Sequence, residues 1–392
     1  MPLTYLTAGE SHGPELTLIL RGIPAGLPLA PENINLDLAR RQRGYGFGER
    51  MGIERDQAII TAGVMDGKTT GAPIAIRILN KDHAQWRGKA IPPFTKPRPG
   101  HADLTAAIKY GYRDLRPALE RASARETAAR VAMGAICKHL LAQFEITVGG
   151  WVTAIGEISA EAEIERIPYL ERITRAERSP VRCPSPSAAE TMRVAILQAT
   201  KDGDTLGGII EVTALGLPPG LGSHVHWESR LDSRLGAAIL SIPAIKGLEI
   251  GHAFQNAQLP GTQAQDAIRL IPNSQLLTRN SNRAGGLEGG ITTGQPLHIR
   301  AAMKPIATTR APQPTVNLAN GQETTTAYER SDICPVPRAV PILEAMTAYA
   351  LAAALLEKLG GDSLAEILPR YAALHHRTPP MDNHPHTWWP DD

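Results

Sequence analysis

The segment Pro341 to Leu359, PILEAMTAYALAAALLEKL, constrains this chain more than any other. At helical period it is apolar nearly all round, so it has to be a buried helix. Gly360 and Gly361 end it. Its longest nearly apolar run, Ala345 to Leu356, falls short of the ~20 residues that span a bilayer, so a protein core is expected around it. One long second helix is predicted from Pro117, which suits a first turn, with apolar residues at Ala118, Leu119, Ala122, Ala129, Ala132, Ile136 and Leu140. It is narrow and alanine-rich, so it can be packed on several faces.

The rest is not a helical bundle. The 36 glycines and 32 prolines among 392 residues demand many turns and short elements. Strands are read at both ends of Thr4 to Arg21, on either side of a turn within 62–69, over Phe144 to Ile158, and in 208–218. Ser187 with Glu190 forms a capping box that opens a helix to about Lys201, and Glu228 to Ile242 reads as another helix. Residues 159–186, charged and punctuated by proline, read as a peripheral excursion. The order of elements over 1–158 looks repeated over 187–303, without a sequence repeat that establishes duplication. It suggests α+β layering, not alternating βαβ units around a nucleotide crevice.

Composition narrows the function. A net charge of +2 and a mean hydropathy of −0.17 describe an ordinary globular chain, with nothing that points to nucleic acid or a membrane. Aromatic residues make up only 4%, which argues against a stacking platform for single strands. Cys137, Cys183 and Cys334 are far apart and form no CxxC pair, so neither a disulfide framework nor a zinc site is expected and a reducing cytoplasm fits. The N-terminus has no basic n-region or apolar h-region of a signal peptide.

Chemistry-bearing residues cluster in six stretches. In 96–139, Pro97, Pro99 and Gly100 put His101 on a rigid bend, and Arg121 and Arg125 follow one turn apart. Such arginines repel one another and oppose the helix dipole, and Glu120 and Glu126 compensate only part. Two readings stand on spacing alone: a solvated basic face with local ion pairs, or an anion site beside a histidine. His12 lies in the turn Ala8 to Pro14, where it either caps a strand end or faces a cleft. Arg40, Arg41, Arg43, Arg50 and Arg55 crowd a glycine loop that is either flexible and solvated or closes over an anion. AGVMDGKT (62–69) satisfies a loose Walker A pattern, but β-type alternation follows it where a helix is needed, so it reads as a hairpin turn. The glycine pairs of 280–291 allow close backbone approach to a flat ligand or make a plain surface turn. Arg330 and Asp332 in isolation would be a surface ion pair.

Taken together, GESHG, RRQ, RPGHAD, RASARET, NRAGGLEGGITTGQP, KPIAT and RSDIC, in that order over about residues 4 to 359, closely resemble the chorismate synthase family. The resemblance implies a β-α-β sandwich, antiparallel sheets flanking a helical core, in one catalytic domain (1–369). Within that domain the element order suggests pseudo-twofold halves at about 1–158 and 187–303, and the C-terminal tail (370–392), which lacks periodicity, is expected to be mobile. The resemblance also implies a 1,4-anti elimination of phosphate from 5-enolpyruvylshikimate 3-phosphate that needs reduced FMN without net redox change, in a homotetramer. No appended domain for reducing flavin with NADPH is visible, so an external reductant is expected.

By resemblance, His12 protonates the departing phosphate, His101 protonates or holds protonated the reduced flavin, and Asp332 accepts the flavin N5 proton. Arg41, Arg50, Arg98, Arg125 and Arg330 match substrate-binding positions. Arg121, Ala122, Ser123, Pro243, Ala244, Gly289, Lys304, Pro305, Ile306, Ala307, Thr308 and Arg330 match flavin-binding ones. The chain departs from the family at Phe47, where many members carry arginine, at Arg43, where glycine is common, and at Ile306 and Ala307, which replace small polar residues. Two other classes are a flavin oxidoreductase on the same site, against which stands the absence of a visible nicotinamide motif, and an RNA-binding protein, against which stands the near-zero net charge.

Overall fold

The chain begins with an antiparallel hairpin, β1 (Thr4–Ala8) and β2 (Glu15–Arg21). Alternation along β2 buries Leu16, Leu18 and Leu20 and turns Ile19 to the open face beside Leu6. The structure, a computed structural model, describes residues 2–46, 55–272, 277–329, 331–374 and 381–382. Helix α1 (Pro31–Gln42) follows with proline at its first position, then β3 (Ala58–Ala62) and β4 (Ile74–Leu79) complete a four-stranded antiparallel sheet of order β1-β2-β4-β3. The Walker-like stretch is a hairpin between Val64–Met65 and Lys68–Thr69. Asp66 and Gly67, at φ 48° and 67°, make the primed two-residue turn that strand twist favours.

Next come α2 (Asp103–Tyr110), α3 (Arg116–Arg121) and α4 (Thr127–Ala142). The long helix expected from Pro117 is therefore broken. Ser123 is extended, at φ −65° and ψ 143°, and its hydroxyl accepts from the Arg125 N–H to start a single 3₁₀ turn, Ala124–Glu126. Residues 122–126 thus lie between the two α-helices.

The second sheet uses β5 (Thr147–Ile155), β6 (Ile158–Ser159), β7 (Gly208–Leu215), β8 (Ile245–Ile250) and β9 (Leu297–Met303), in the order β8-β9-β7-β5-β6. Because β5 pairs with β7, a division of the chain near 158 runs through this sheet. The stretch read as an excursion contains a helix, Tyr169–Arg178. Its Arg172 is buried with the guanidinium 5.3 Å from the Trp151 ring centre and 4.7 Å from that of Tyr169, so a charge that looks peripheral in sequence is absorbed by stacking. The helix at Pro186–Asp202 is capped by Ser185, not Ser187: the Ser185 hydroxyl accepts from Ala188 N–H. The helix predicted from Glu228 begins at Leu231 and ends at Leu240, after a 3₁₀ turn.

The apolar helix, α5 (Val336–Leu359), starts earlier than its pattern suggests and keeps Pro341 inside it. At 24 residues it is long and apolar enough to cross a membrane by composition alone, but 89% of its apolar window is buried within the protein. It packs on α1, α4, β5, β7 and the helix Leu231–Leu240, while α4 also packs on β2. Gly134 of α4 is required there, since a Cβ would lie 2.1 Å from that of Ala345. One buried cluster, from Leu3 to Ile367, links both sheets and these helices. The fold is of the mixed α+β kind that was expected.

Candidate active site

A cavity of about 710 Å³ opens where the β1–β2 turn, the 82–101 segment, the α3–α4 break and the segments 304–308 and 331–338 meet. Its first wall is the turn that carries His12. Glu120, at the end of α3, accepts from the His12 backbone N–H and pairs with the ring Nδ1, both at 2.8 Å. Burial alone would raise the Glu120 pKa, but the His12 bonds outweigh it and hold the carboxyl below its ordinary value. A carboxylate on Nδ1 fixes the ring's orientation and leaves proton exchange to Nε2. Trp86 packs on the same ring, with centroids 4.3 Å apart.

The second wall is the Arg98–Asp103 bend. Asp103, fully buried, accepts from Arg98 N (3.0 Å), Nε (2.9 Å) and Nη2 (3.0 Å), and from His101 Nδ1 at 2.6 Å. Burial opposes its ionisation, but the His101 and Arg98 bonds win and lower its pKa well below the usual carboxylate range. Arg98 Nη1 also donates to Thr308 Oγ1 at 3.0 Å, and Lys304 Nζ donates to Gly100 O at 2.7 Å, so the 304–308 floor is bonded to the histidine bend. Lys304 N–H donates to Ala244 O at 2.9 Å, with Ala244 held at φ 67°.

Arginines make the third wall. Arg125 Nε donates to Asn80 Oδ1 at 2.7 Å and Nη1 to Asp56 Oδ1 at 2.6 Å. Arg41 Nε donates to Thr127 Oγ1 at 3.0 Å, Nη2 to Ala124 O at 2.9 Å, and its Nη1 lies 3.5 Å from Asp56 Oδ2. Arg338 donates to Asp332 and, through Nε, to Arg41 O at 3.1 Å. Burial, and then the charge of Arg338, push the Arg41 pKa down to about 9 despite Asp56. Among the described residues, three guanidiniums here share Asp56 and Asp332, an arrangement suited to an anionic ligand.

The cavity lining thus includes His12, His101, Asp332, Arg41, Arg98, Arg125, Ala122, Ser123, Pro243, Ala244, Lys304, Ile306, Ala307 and Thr308 from the sequence reading. Three of the expected residues are not part of it. Arg121 turns to β1, donating to Thr7 O at 2.9 Å and Gly9 O at 3.3 Å. Pro305 is exposed beside the floor. Gly289 sits in the turn between Leu287–Glu288 and Ile291–Thr292, where an added Cβ would meet His224 at 3.9 Å. Arg50, Arg330 and the departure at Phe47 lie outside the described residues.

Sequence reasoning passed over Trp86, Arg338, Asn80 and Asp103, and read Glu120 only as a local counter-charge. Asp103 stands inside RPGHAD and Glu120 directly precedes RASARET, and each carries a histidine; Trp86 is one of five tryptophans in a chain poor in aromatics. Arg338 and Asn80 have no local signal.

A sequence-family model described as chorismate synthase matches residues 3–356. A chorismate synthase of Trichlorobacter lovleyi is 50% identical over 380 residues, covering 93% of this chain and 96% of the relative. One of Moorella thermoacetica is 51% identical over 379 residues, covering 95% and 98%. A solved structure titled "Crystal Structure of Chorismate Synthase" superposes with a TM-score of 0.78 at 44% identity, covering 95% of this chain and 97% of the other.

Proposed function

The chain belongs to the chorismate synthase family, and on that premise we propose which groups of the cavity carry the family's reaction. The activity is a carbon–oxygen lyase step of the shikimate pathway in aromatic amino-acid biosynthesis, releasing phosphate and forming chorismate. The substrate is 5-enolpyruvylshikimate 3-phosphate. In a 1,4-anti elimination its C–O bond to phosphate and a C–H bond across the ring both break, and a second ring double bond forms.

The observation that carries the assignment of roles is the convergence of Arg41, Arg125 and Arg338 with two carboxylate-held histidines on one cavity. Charge builds on the phosphate as it leaves, and fixed cations in a partly dry site stabilise that charge more than water does. Arg41, Arg98 and Arg125 bind the substrate's anionic groups, with Arg50 and Arg330 assigned by resemblance alone. His12, braced by Glu120, gives a proton to the leaving oxygen.

Reduced FMN fits the same cavity. The volume suits a ligand of that size, the apolar surfaces of Pro243, Ala244, Ile306 and Ala307 suit a flat ring, and Lys304 and Thr308 offer polar contacts. The chemistry supplied by bound reduced FMN is transient donation and recovery of an electron, with no net redox change. Around it, His101 holds a proton at Nε2 while Asp103 fixes its Nδ1, and Asp332 is the carboxylate that takes up a proton. Ala122 and Ser123 border the same space, and Arg121, Pro305 and Gly289 keep their assignment to the flavin by resemblance.

We further infer a single catalytic domain over 1–369 of the β-α-β sandwich type. The packing of α4 on β2, of α5 on β5 and β7, and of the two helices on each other supports it. A homotetramer in the cytoplasm, fed by an external flavin reductant, is the corresponding cellular form. Exposed Leu6, Ile19, Ile59 and Leu79 on the first sheet's outer face support association, and three free, buried cysteines fit a reducing compartment.

The test is an anaerobic assay with the substrate and dithionite-reduced FMN, following chorismate absorbance, with oxidised FMN and His101→Ala in parallel. Product only with reduced FMN, and much slower product in the variant, is expected. A folded, FMN-binding protein that makes no chorismate would overturn the assignment.

A further inference from the structure

Asn80 stands at the end of β4, 4% exposed, and every polar group of its amide is engaged. Nδ2 donates to Gly13 O at 2.8 Å and to Glu10 O at 3.1 Å, the two carbonyls that flank Ser11 and His12. Oδ1 accepts from Arg125 Nε at 2.7 Å. The backbone N–H donates to Pro14 O at 2.9 Å, and the backbone carbonyl accepts from His83 N–H at 3.1 Å. The amide's orientation follows from chemistry: two carbonyls can only accept and a guanidinium can only donate, so NH₂ must face the turn and oxygen must face Arg125. Beyond Arg125 the same chain of bonds runs to Asp56 and from there to Arg41.

We propose that Asn80 is a positioning residue for the elimination. Its amide sets the separation between the His12 turn and the Arg125 guanidinium, so that the proton donor and the cation reach one departing phosphate. This rests on the roles given above to His12 and Arg125. A side chain that only filled space would need no particular polarity on either end, whereas this one needs donors on one end and an acceptor on the other.

That polarity supplies the test. Asn80→Asp keeps an acceptor for Arg125 and loses both donors to the His12 turn. Asn80→Ala loses both ends. Both variants, as full-length protein, are assayed for kcat and KM with reduced FMN, for binding of inorganic phosphate by calorimetry, and for thermal melting. In Asn80→Asp, KM and phosphate affinity are expected to stay within about threefold while kcat falls about tenfold or more. In Asn80→Ala, KM rises and kcat falls, each by about tenfold or more.

Equal losses in the two variants, or no loss in either, would overturn the proposal. If Asn80→Ala does not fold, the split in Asn80→Asp decides alone: retained KM with lost kcat supports the role, and parallel loss ends it. Wild-type protein that neither binds phosphate nor forms chorismate would instead overturn the site assignment itself, and is seen before any variant is made.

Discussion

Arg40 and Arg41 are neighbours on α1, yet they enter two regions of opposite design. Arg40 meets Glu344 through Nη1 at 2.6 Å and Nη2 at 2.8 Å, with Asp37 at 2.6 Å and Glu177 at 2.5 Å. Lys138 joins Glu344 at 2.9 Å, and Arg182 joins Glu177 at 2.5 Å. Three cations meet three carboxylates, and Gly150 N–H completes the shell of Glu344 at 2.9 Å. Burial works against the Arg40 charge, but Glu344 and its neighbours more than reverse this and raise its pKa. Arg41 has the reverse fate, pushed down to about 9 by burial and by Arg338. A balanced ionic cluster holds elements together: Glu344 ties α5 to α1, α4 and β5. The cluster around Arg41 lines a cavity instead, and on the function proposed above it would meet the substrate's anionic groups there.

The largest expected effect is in the balanced region. Arg40→Met leaves Glu344, which is 0% exposed, short of its bidentate partner. Stability should fall by about 3–5 kcal/mol, as when one partner of a buried pair is removed, measured by urea unfolding. The folded fraction should keep its turnover within a few-fold. Arg41→Met should do the opposite. Chorismate formation should drop about 10²–10³-fold, while the melting temperature holds or rises because a like charge has left the arginine cluster. If Arg41→Met unfolds the protein and Arg40→Met only slows it, the contrast between the regions is reversed.

How much of this contrast was legible in the sequence depends on whether residues act in blocks. RPGHAD puts Arg98, His101 and Asp103 within six positions, so that wall of the cavity was readable from one motif. The pairing of Arg40 with Glu344 was not, because the two lie 304 positions apart and Glu344 is a lone charge in an apolar helix. The α3–α4 break was hidden because ALERASARETAARVA favours a helix throughout. What opposes the helix is a tertiary contact: the Ser123 hydroxyl donates to Ser11 Oγ at 3.1 Å, across 112 positions. Glycine and proline punctuation excluded a helical bundle, and the order of helices and strands pointed to the α+β class. Assigning 147–155 to the second sheet needed its long-range pairing with 208–215, which alternation within a strand does not reveal.

A smaller effect separates the regions by pH. Burial alone would raise the Glu344 pKa, but Arg40 and Lys138 outweigh it and hold the carboxyl well below its ordinary 4.5. Since the folded value lies below the unfolded one, its stabilisation is fully present above about pH 4.5 and is lost as pH falls toward the folded value. Unfolding free energy measured from about pH 5 to pH 3 should therefore drop more steeply in the wild type than in Glu344→Gln, by up to ~1.4 kcal/mol per pH unit. Parallel slopes would mean that Glu344 is not the carboxylate that links this region to acid.

The smallest effect grades the balanced region from within. Lys138 reaches Glu344 at 2.9 Å and Asp37 at 3.1 Å, but its side chain is 22% exposed. Removing its charge in Lys138→Gln leaves Glu344 with both Arg40 bonds and the Gly150 N–H, so no carboxylate is stranded. The cost should be about 1 kcal/mol, nearer to a partly solvated ion pair than to a broken buried one. A loss as large as that of Arg40→Met would show that total positive charge stabilises this cluster, and that the bidentate Arg40–Glu344 geometry has no special part. A small loss beside a large one in Arg40→Met would locate the stability in that geometry, which Arg41, one residue along the same helix, does not share.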